Sequence, residues 1–152
     1  MAAAATDGGF ELRLTLFSVD EANQSLAEIR PRVERLARAK RDLDRLQRRV
    51  ALLELAATGA DRGSPDAEEL RLALERRDRG AETLRDAIQT VEERGVVVKD
   101  LDHGLVDFYS IAGDRLIFLC WRLGEAEVSH WHTLEDGFAG RQPLHREAGG
   151  GR

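Results

Sequence analysis

Leu105-Val106-Asp107-Phe108-Tyr109-Ser110-Ile111-Ala112-Gly113-Asp114-Arg115-Leu116-Ile117-Phe118-Leu119-Cys120-Trp121-Arg122 runs strand, turn, strand. Both arms are rich in β-branched and aromatic residues, and Ala112-Gly113-Asp114 makes a compact turn between them. The two arms should pair as a hairpin. In the second arm both faces are apolar: Leu116, Phe118 and Cys120 on one, Ile117, Leu119 and Trp121 on the other. A strand of that kind is central and covered on both sides. One covering layer must come from elsewhere in the chain.

That layer lies upstream. Ser18 is a good N-cap, and Glu21 stands three residues later, where it can return the hydrogen bond. From Val19 to about Ala57, Ile29, Val33, Leu36, Leu43, Leu46, Val50 and Leu53 follow three/four spacing, with Lys40 interrupting the stripe. Pro31 falls inside this run and is expected to kink or divide the helix near Arg30. Thr58 to Gly63 reads as a turn, and Ser64-Pro65-Asp66 starts a second helix. Its stripe is Leu70, Leu74, Ala81, Leu84, Ile88 and Val91, and Gly95 ends it as a left-handed cap. The short turn makes the helices antiparallel neighbours in a coiled-coil-like hairpin. At 1.5 Å per residue the longer arm spans roughly 55 Å if straight.

Further strands are expected at 10–17, where Leu12, Leu14 and Leu16 alternate with Arg13 and Thr15, at Val96-Val97-Val98, and around Glu127–His132. The fold class is therefore α+β: a long antiparallel helical hairpin packed on a small, mainly antiparallel β-sheet. The expected organisation is a disordered N-terminus at 1–9 and a single domain at 10–145. That domain holds the helical hairpin 18–95, a sheet from 10–17 and 96–132, and an ordered loop 133–145. A disordered tail follows at 146–152.

Composition narrows the classes of function. The charged fraction is 34% and aromatics are 5% of 152 residues, which fits long solvated helices. A net charge of −5 gives no global support for nucleic-acid or anionic-membrane binding. The single Cys120 cannot form an intramolecular disulfide, so a reducing cytoplasm is the default, and no apolar run approaches the ~20 residues of a spanning helix. The first helix is rich in arginine and the second in acids, the complementarity an antiparallel pair uses for register within or between chains. RNA binding along the arginine face would rest on charge alone, since no aromatics are interleaved.

The C-terminal third resembles a bacterial family known as domain of unknown function 2203. The residues that carry the likeness are Lys99-Asp100, Gly104-Leu105-Val106-Asp107-Phe108, Cys120-Trp121-Arg122, Gly124-Glu125, Trp131-His132 and Gly137-Phe138-Ala139-Gly140-Arg141. Phe17-Ser18-Val19-Asp20-Glu21-Ala22-Asn23 is similar to the family's opening. The resemblance spans roughly residues 12–145. It implies fold and boundaries, and it brings no activity or cofactor with it.

All four histidines, the only cysteine and both tryptophans fall between His103 and His145. If 127–132 is extended, His130 and His132 share a face, a usable metal pair for zinc or another divalent ion. Cys120, Glu125, Glu127 or Asp136 could complete it. Cys120 itself reads as a small buried hydrophobe rather than a nucleophile, because burial mid-strand raises a thiol pKa. Asp107 shares a strand face with Leu105, Tyr109 and Ile111, so it needs a buried partner. A structural pair with Arg122 or Arg141 is the preferred reading; general acid/base work or a metal carboxylate is the functional one. Arg122 and Arg141, with Glu125, could otherwise hold an anion or carboxylate.

Two functions follow as expectations. The first is a non-enzymatic interaction or scaffold protein that self-associates, or meets a protein partner, through the hairpin. The alternative is a small metal- or anionic-ligand-binding protein, an enzyme in its strongest form, with its site at the polar edge of the C-terminal sheet. No known catalytic constellation is present, so the balance leans away from an enzyme.

Overall fold

A computed structural model describes residues 13–59 and 63–145. Helix α1 is Val19–Ala57 and α2 is Pro65–Glu92. Strands follow as β1 (Val96–Asp100), β2 (Leu105–Ala112), β3 (Arg115–Arg122), β4 (His130–Thr133) and β5 (Gln142–Pro143), with a 3-10 turn at Phe138–Gly140. The strands form one sheet in sequence order, every neighbour antiparallel. This is the α+β hairpin-on-sheet architecture that the periodicities predict. Among the described residues no helix is long and apolar enough to cross a membrane.

Local chemistry explains the helix boundaries. Ser18 Oγ accepts from the Glu21 N–H at 3.1 Å, and Glu21 Oε1 accepts from the Ser18 N–H at 3.2 Å, a complete capping box. Ser64 caps α2 through Ala67 N–H, with Pro65 at the first helical position. Past α2, Gly95 takes φ +79°, and a Cβ there would meet the Thr15 side chain at 2.4 Å. Pro31 does not divide α1, which runs unbroken through it. Ile29 and Val33 on either side are fully buried while Pro31 is exposed. The freed carbonyl therefore falls on the wet face, where water can satisfy it.

The hairpin covers one sheet face. Val106 and Phe108 of β2 and Ile117, Leu119 and Trp121 of β3 pack on Leu26, Ile29, Val33 and Leu36 of α1 and on Leu84, Ala87 and Val91 of α2. The Trp121 indole N–H donates to the Glu125 carbonyl at 3.0 Å, so even this ring is satisfied inside the core. Lys40, the break in the apolar stripe, reaches Asp44 at 2.8 Å and Asp102 at 3.0 Å. It thereby ties α1 to the β1–β2 turn. Farther out, Val50, Leu53 and Ala73 make a small second core between the helices.

Three expectations change. Residues 13–17 are not a strand; residues 10–12 and both predicted disordered ends (1–9 and 146–152) lie outside the described residues. Phe17 anchors the segment, its N–H donating to Tyr109 O at 2.7 Å and its ring edge-on to Phe108 at 5.1 Å. With Phe17 turned inward, Leu16 is left 45% exposed and the alternation fails. The strand expected at 127–132 begins only at His130, because the Val128 N–H is taken by Asn23 Oδ1 of α1 at 2.7 Å. The loop 133–145 also contains a 3-10 turn and β5, which pairs with β4 at His130↔Pro143 and Trp131↔Gln142.

Candidate functional site

The sheet register places the chemistry on the face away from the helices. Asp107 of β2 is opposite Cys120 of β3, and Cys120 is opposite His130 of β4. Tyr109, Phe118 and His132 form the next rank across the same three strands. These side chains alternate with the inner-face core, so period two alone turns them outward.

Asp107, Cys120 and His132 converge. Each offers a ligand-type atom, and the three atoms lie within 4.8 Å of one another. All three residues are buried, with 1%, 0% and 2% of their surface exposed. His132 Nε2 stands 2.9 Å from Asp107 Oδ2, and His132 Nδ1 stands 2.7 Å from the Thr133 carbonyl. A carbonyl only accepts, so Nδ1 carries a hydrogen. The contact between Nε2 and the carboxyl then needs a further proton or a cation between two lone pairs. Asp107 Oδ1 is buried and makes no hydrogen bond of ordinary geometry among the described residues, the neighbouring Cys120 thiol being only a weak donor to the carboxyl. An acceptor left so costs roughly 1–3 kcal/mol.

Burial governs the protonation states. It pushes the Asp107 carboxyl above its ordinary range, against the opposing pull of His132. It pushes the Cys120 thiol up to about 12, and the nearby Asp107 charge adds to the effect. Cys120 is therefore a neutral thiol at neutral pH and not a nucleophile. Nor is His132 available as its base, since both ring nitrogens are committed elsewhere.

The other predicted residues are placed differently. Among the described residues Asp107 pairs with His132 and with no arginine. Arg141 instead grips Glu125, at 2.8 Å to Oε1 and 3.1 Å to Oε2, and lies 4.8 Å from the Phe138 ring. Arg122 sits one register step beyond Cys120 and is exposed; its backbone N–H donates to Glu125 Oε1 at 2.7 Å. Glu125 is thus a structural hub joining the end of β3 to the 3-10 turn. His130 shares the outer face, but its Nδ1 faces Ser129 Oγ at 3.0 Å and Glu125 Oε2 at 3.6 Å. Glu127 is on the surface. The expected pair of His130 and His132 therefore splits, and Cys120, read from sequence mainly as core, takes its place beside Asp107 and His132. The signal for Cys120 was its alternation: it shares the outward parity of Phe118, not the inward parity of Trp121.

Fold and site together define a helical hairpin on an antiparallel sheet, with a buried polar cluster on the sheet's outer face. The model of a family described as "Uncharacterized conserved protein (DUF2203)" matches residues 15–144, and the chain belongs to that family. No curated protein and no solved structure matches it.

Proposed function

We propose that this protein binds a divalent transition metal, zinc foremost, through Asp107, Cys120 and His132. The observation that carries the reading is the unsatisfied chemistry around His132. Its Nδ1 hydrogen is fixed by a backbone carbonyl, which orients the ring and leaves Nε2 as a ligand, the usual outer-shell arrangement at metal-bound histidine. Opposite it stand a carboxyl with one orphaned oxygen and a thiol. Thiolate, imidazole and carboxylate are zinc's ligand types. A divalent cation would neutralise the carboxylate and the thiolate together, leaving the buried site uncharged. Two protons would leave: the thiol proton, and the one shared by Asp107 and His132.

The burial of all three residues favours a holding role over catalysis, since a reacting group would have no access. The test is cobalt substitution in untagged, chelator-stripped protein. The expected result is one equivalent bound with thiolate-to-cobalt charge-transfer absorption, lost in Cys120→Ser. Absence of that band with saturating cobalt, together with no retained zinc by elemental analysis, would sink the proposal.

A second reading concerns the hairpin. Leu52 and Leu55 near the end of α1 are 63% and 76% exposed, which favours self-association there. Light scattering across micromolar concentrations tests it, and a strict monomer refutes it.

A further inference from the structure

At one end of the outer face, beside the buried cluster, lies a cleft of about 230 Å³ lined by Asp100, His103, Leu105, Arg122 and Phe138. The geometry points to a binding site for a small carboxylate with an apolar body: the carboxylate on Arg122, the body against Leu105 and Phe138. The inference is independent of the metal reading, since none of the five lining residues belongs to the Asp107, Cys120 and His132 set.

The first support is the fate of the local carboxylates. Glu125, three residues from Arg122, is the natural partner for its guanidinium. Its oxygens are instead taken by the Arg122 backbone N–H and by Arg141. Among the described residues no carboxylate pairs with the Arg122 side chain, which is left lining the cleft. Arginine presents a planar fork that matches a carboxylate in two parallel hydrogen bonds.

The second support is Asp100, the only acid lining the cleft. Its Oδ1 accepts from the Asp102 N–H at 2.8 Å and the His103 N–H at 3.0 Å, and its Oδ2 faces His103 Nδ1 at 3.2 Å. Those donors hold the Asp100 carboxyl below its ordinary range, with the His103 backbone bond foremost. Its lone pairs are directed into its own turn rather than at Arg122. The same bonds orient the His103 ring and leave Nε2 for a ligand.

The third support is the apolar wall. Leu105 is buried, while Phe138 is 42% exposed although the Arg141 guanidinium lies over its ring at 4.8 Å. An aromatic held in place at a cleft rim with its surface unused is suited to an apolar body. The cleft is smaller than the roughly 300–1,000 Å³ of drug-sized sites, which sets the ligand as a small metabolite-like acid.

The test is calorimetric titration of the full-length protein with benzoate and hexanoate, and with benzamide and hexanamide as neutral isosteres. Either acid should bind, with its amide weaker by about tenfold or more. Arg122→Gln should lose about tenfold or more for the acid, with Arg115→Gln at the far end of β3 unchanged. Circular dichroism confirms that the exposed Arg122 substitution leaves the fold intact. Three results would overturn the inference: no binding of either acid at ~10 mM, equal binding of acid and amide, or an Arg122→Gln protein that binds as the parent does.

Discussion

Asp107→Asn separates a metal ligand from a packing residue. Asparagine keeps the shape of the side chain, and its Nδ2–H can donate to His132 Nε2 where the carboxyl needed a shared proton across 2.9 Å. The substitution gives up a charge-assisted bond, worth ~1.5–3 kcal/mol. It also removes the burial penalty that holds the Asp107 carboxyl above its ordinary range. These terms oppose each other, so the metal-free variant should lie within about 1 kcal/mol of the parent. The zinc-loaded proteins should differ more. With asparagine the site would hold a cation of charge two against one thiolate, leaving a buried positive charge. Zinc at a hundredfold excess over Kd stabilises the parent by about 2.7 kcal/mol. For a chain of this size that raises Tm by roughly 5–10 °C. The assay is thermal unfolding followed by circular dichroism, with chelator or with zinc. An unmoved parent Tm, or an equal rise in Asp107→Asn, refutes the reasoning. A metal-free variant destabilised by more than about 3 kcal/mol would show that the charged pair holds the fold itself.

Other expectations test separate parts of the structure. The thiol of Cys120 is pushed from 9.0 up to about 12, so its stabilising contribution is complete below pH 9 and is lost as pH rises through about 12. Urea denaturation of the metal-free parent should therefore worsen over that window, on the order of 4 kcal/mol relative to Cys120→Ala; parallel pH profiles would contradict this. Gly104→Ala should destabilise by roughly 2–5 kcal/mol: φ is +64°, and the new Cβ would lie 2.7 Å from Leu123 Cβ and 2.9 Å from Val33 Cγ1. A change below about 0.5 kcal/mol in chemical denaturation would show that the turn relaxes freely. Leu55→Glu should shift any oligomer to monomer in light scattering without changing helicity; an unchanged mass above the monomer would place the contact elsewhere.

The helices were legible because their signals are local. Ser18 with Glu21 and Ser64 with Pro65 set the starts, and the three/four stripe needs no partner to be read. The β2–β3 pair was legible for the same reason, with its turn and period two contained in one segment. What failed depended on distant groups. Leu12, Leu14 and Leu16 alternate as a strand should, yet over residues 13–17 Phe17 binding Phe108 and Tyr109 decides the conformation. The delayed start of β4 is set by Asn23, 105 residues away from Val128 in sequence. The site was half legible. Asp107 and His132 were singled out, but their pairing depends on which strand neighbours which. Charge alone offers Arg122 or Arg141 as the partner of Asp107, but Arg122 is exposed and the 3-10 turn delivers Arg141 to Glu125.

The two sheet faces solve different problems with the same alternation. Val106, Phe108, Ile117, Leu119 and Trp121 bury the inner face against the hairpin, and that core supplies the apolar area a domain needs. The outer face is also buried at Phe118, so its middle could be filled with aliphatic side chains. Instead it holds an acid, a thiol and an imidazole. Burying such groups generally destabilises relative to well-packed hydrophobic residues of similar volume. Here one carboxyl oxygen is left unmatched as well. The sequence departs here from the rule that a sheet face is filled with apolar side chains, and the metal proposed above accounts for that departure. Arg122 stands on the same face beyond Cys120, an exposed cation whose sequence neighbour Glu125 is engaged by Arg141 and by the Arg122 backbone N–H. Packing explains neither group, whereas a cation at the cluster and an anion at the cleft would satisfy both.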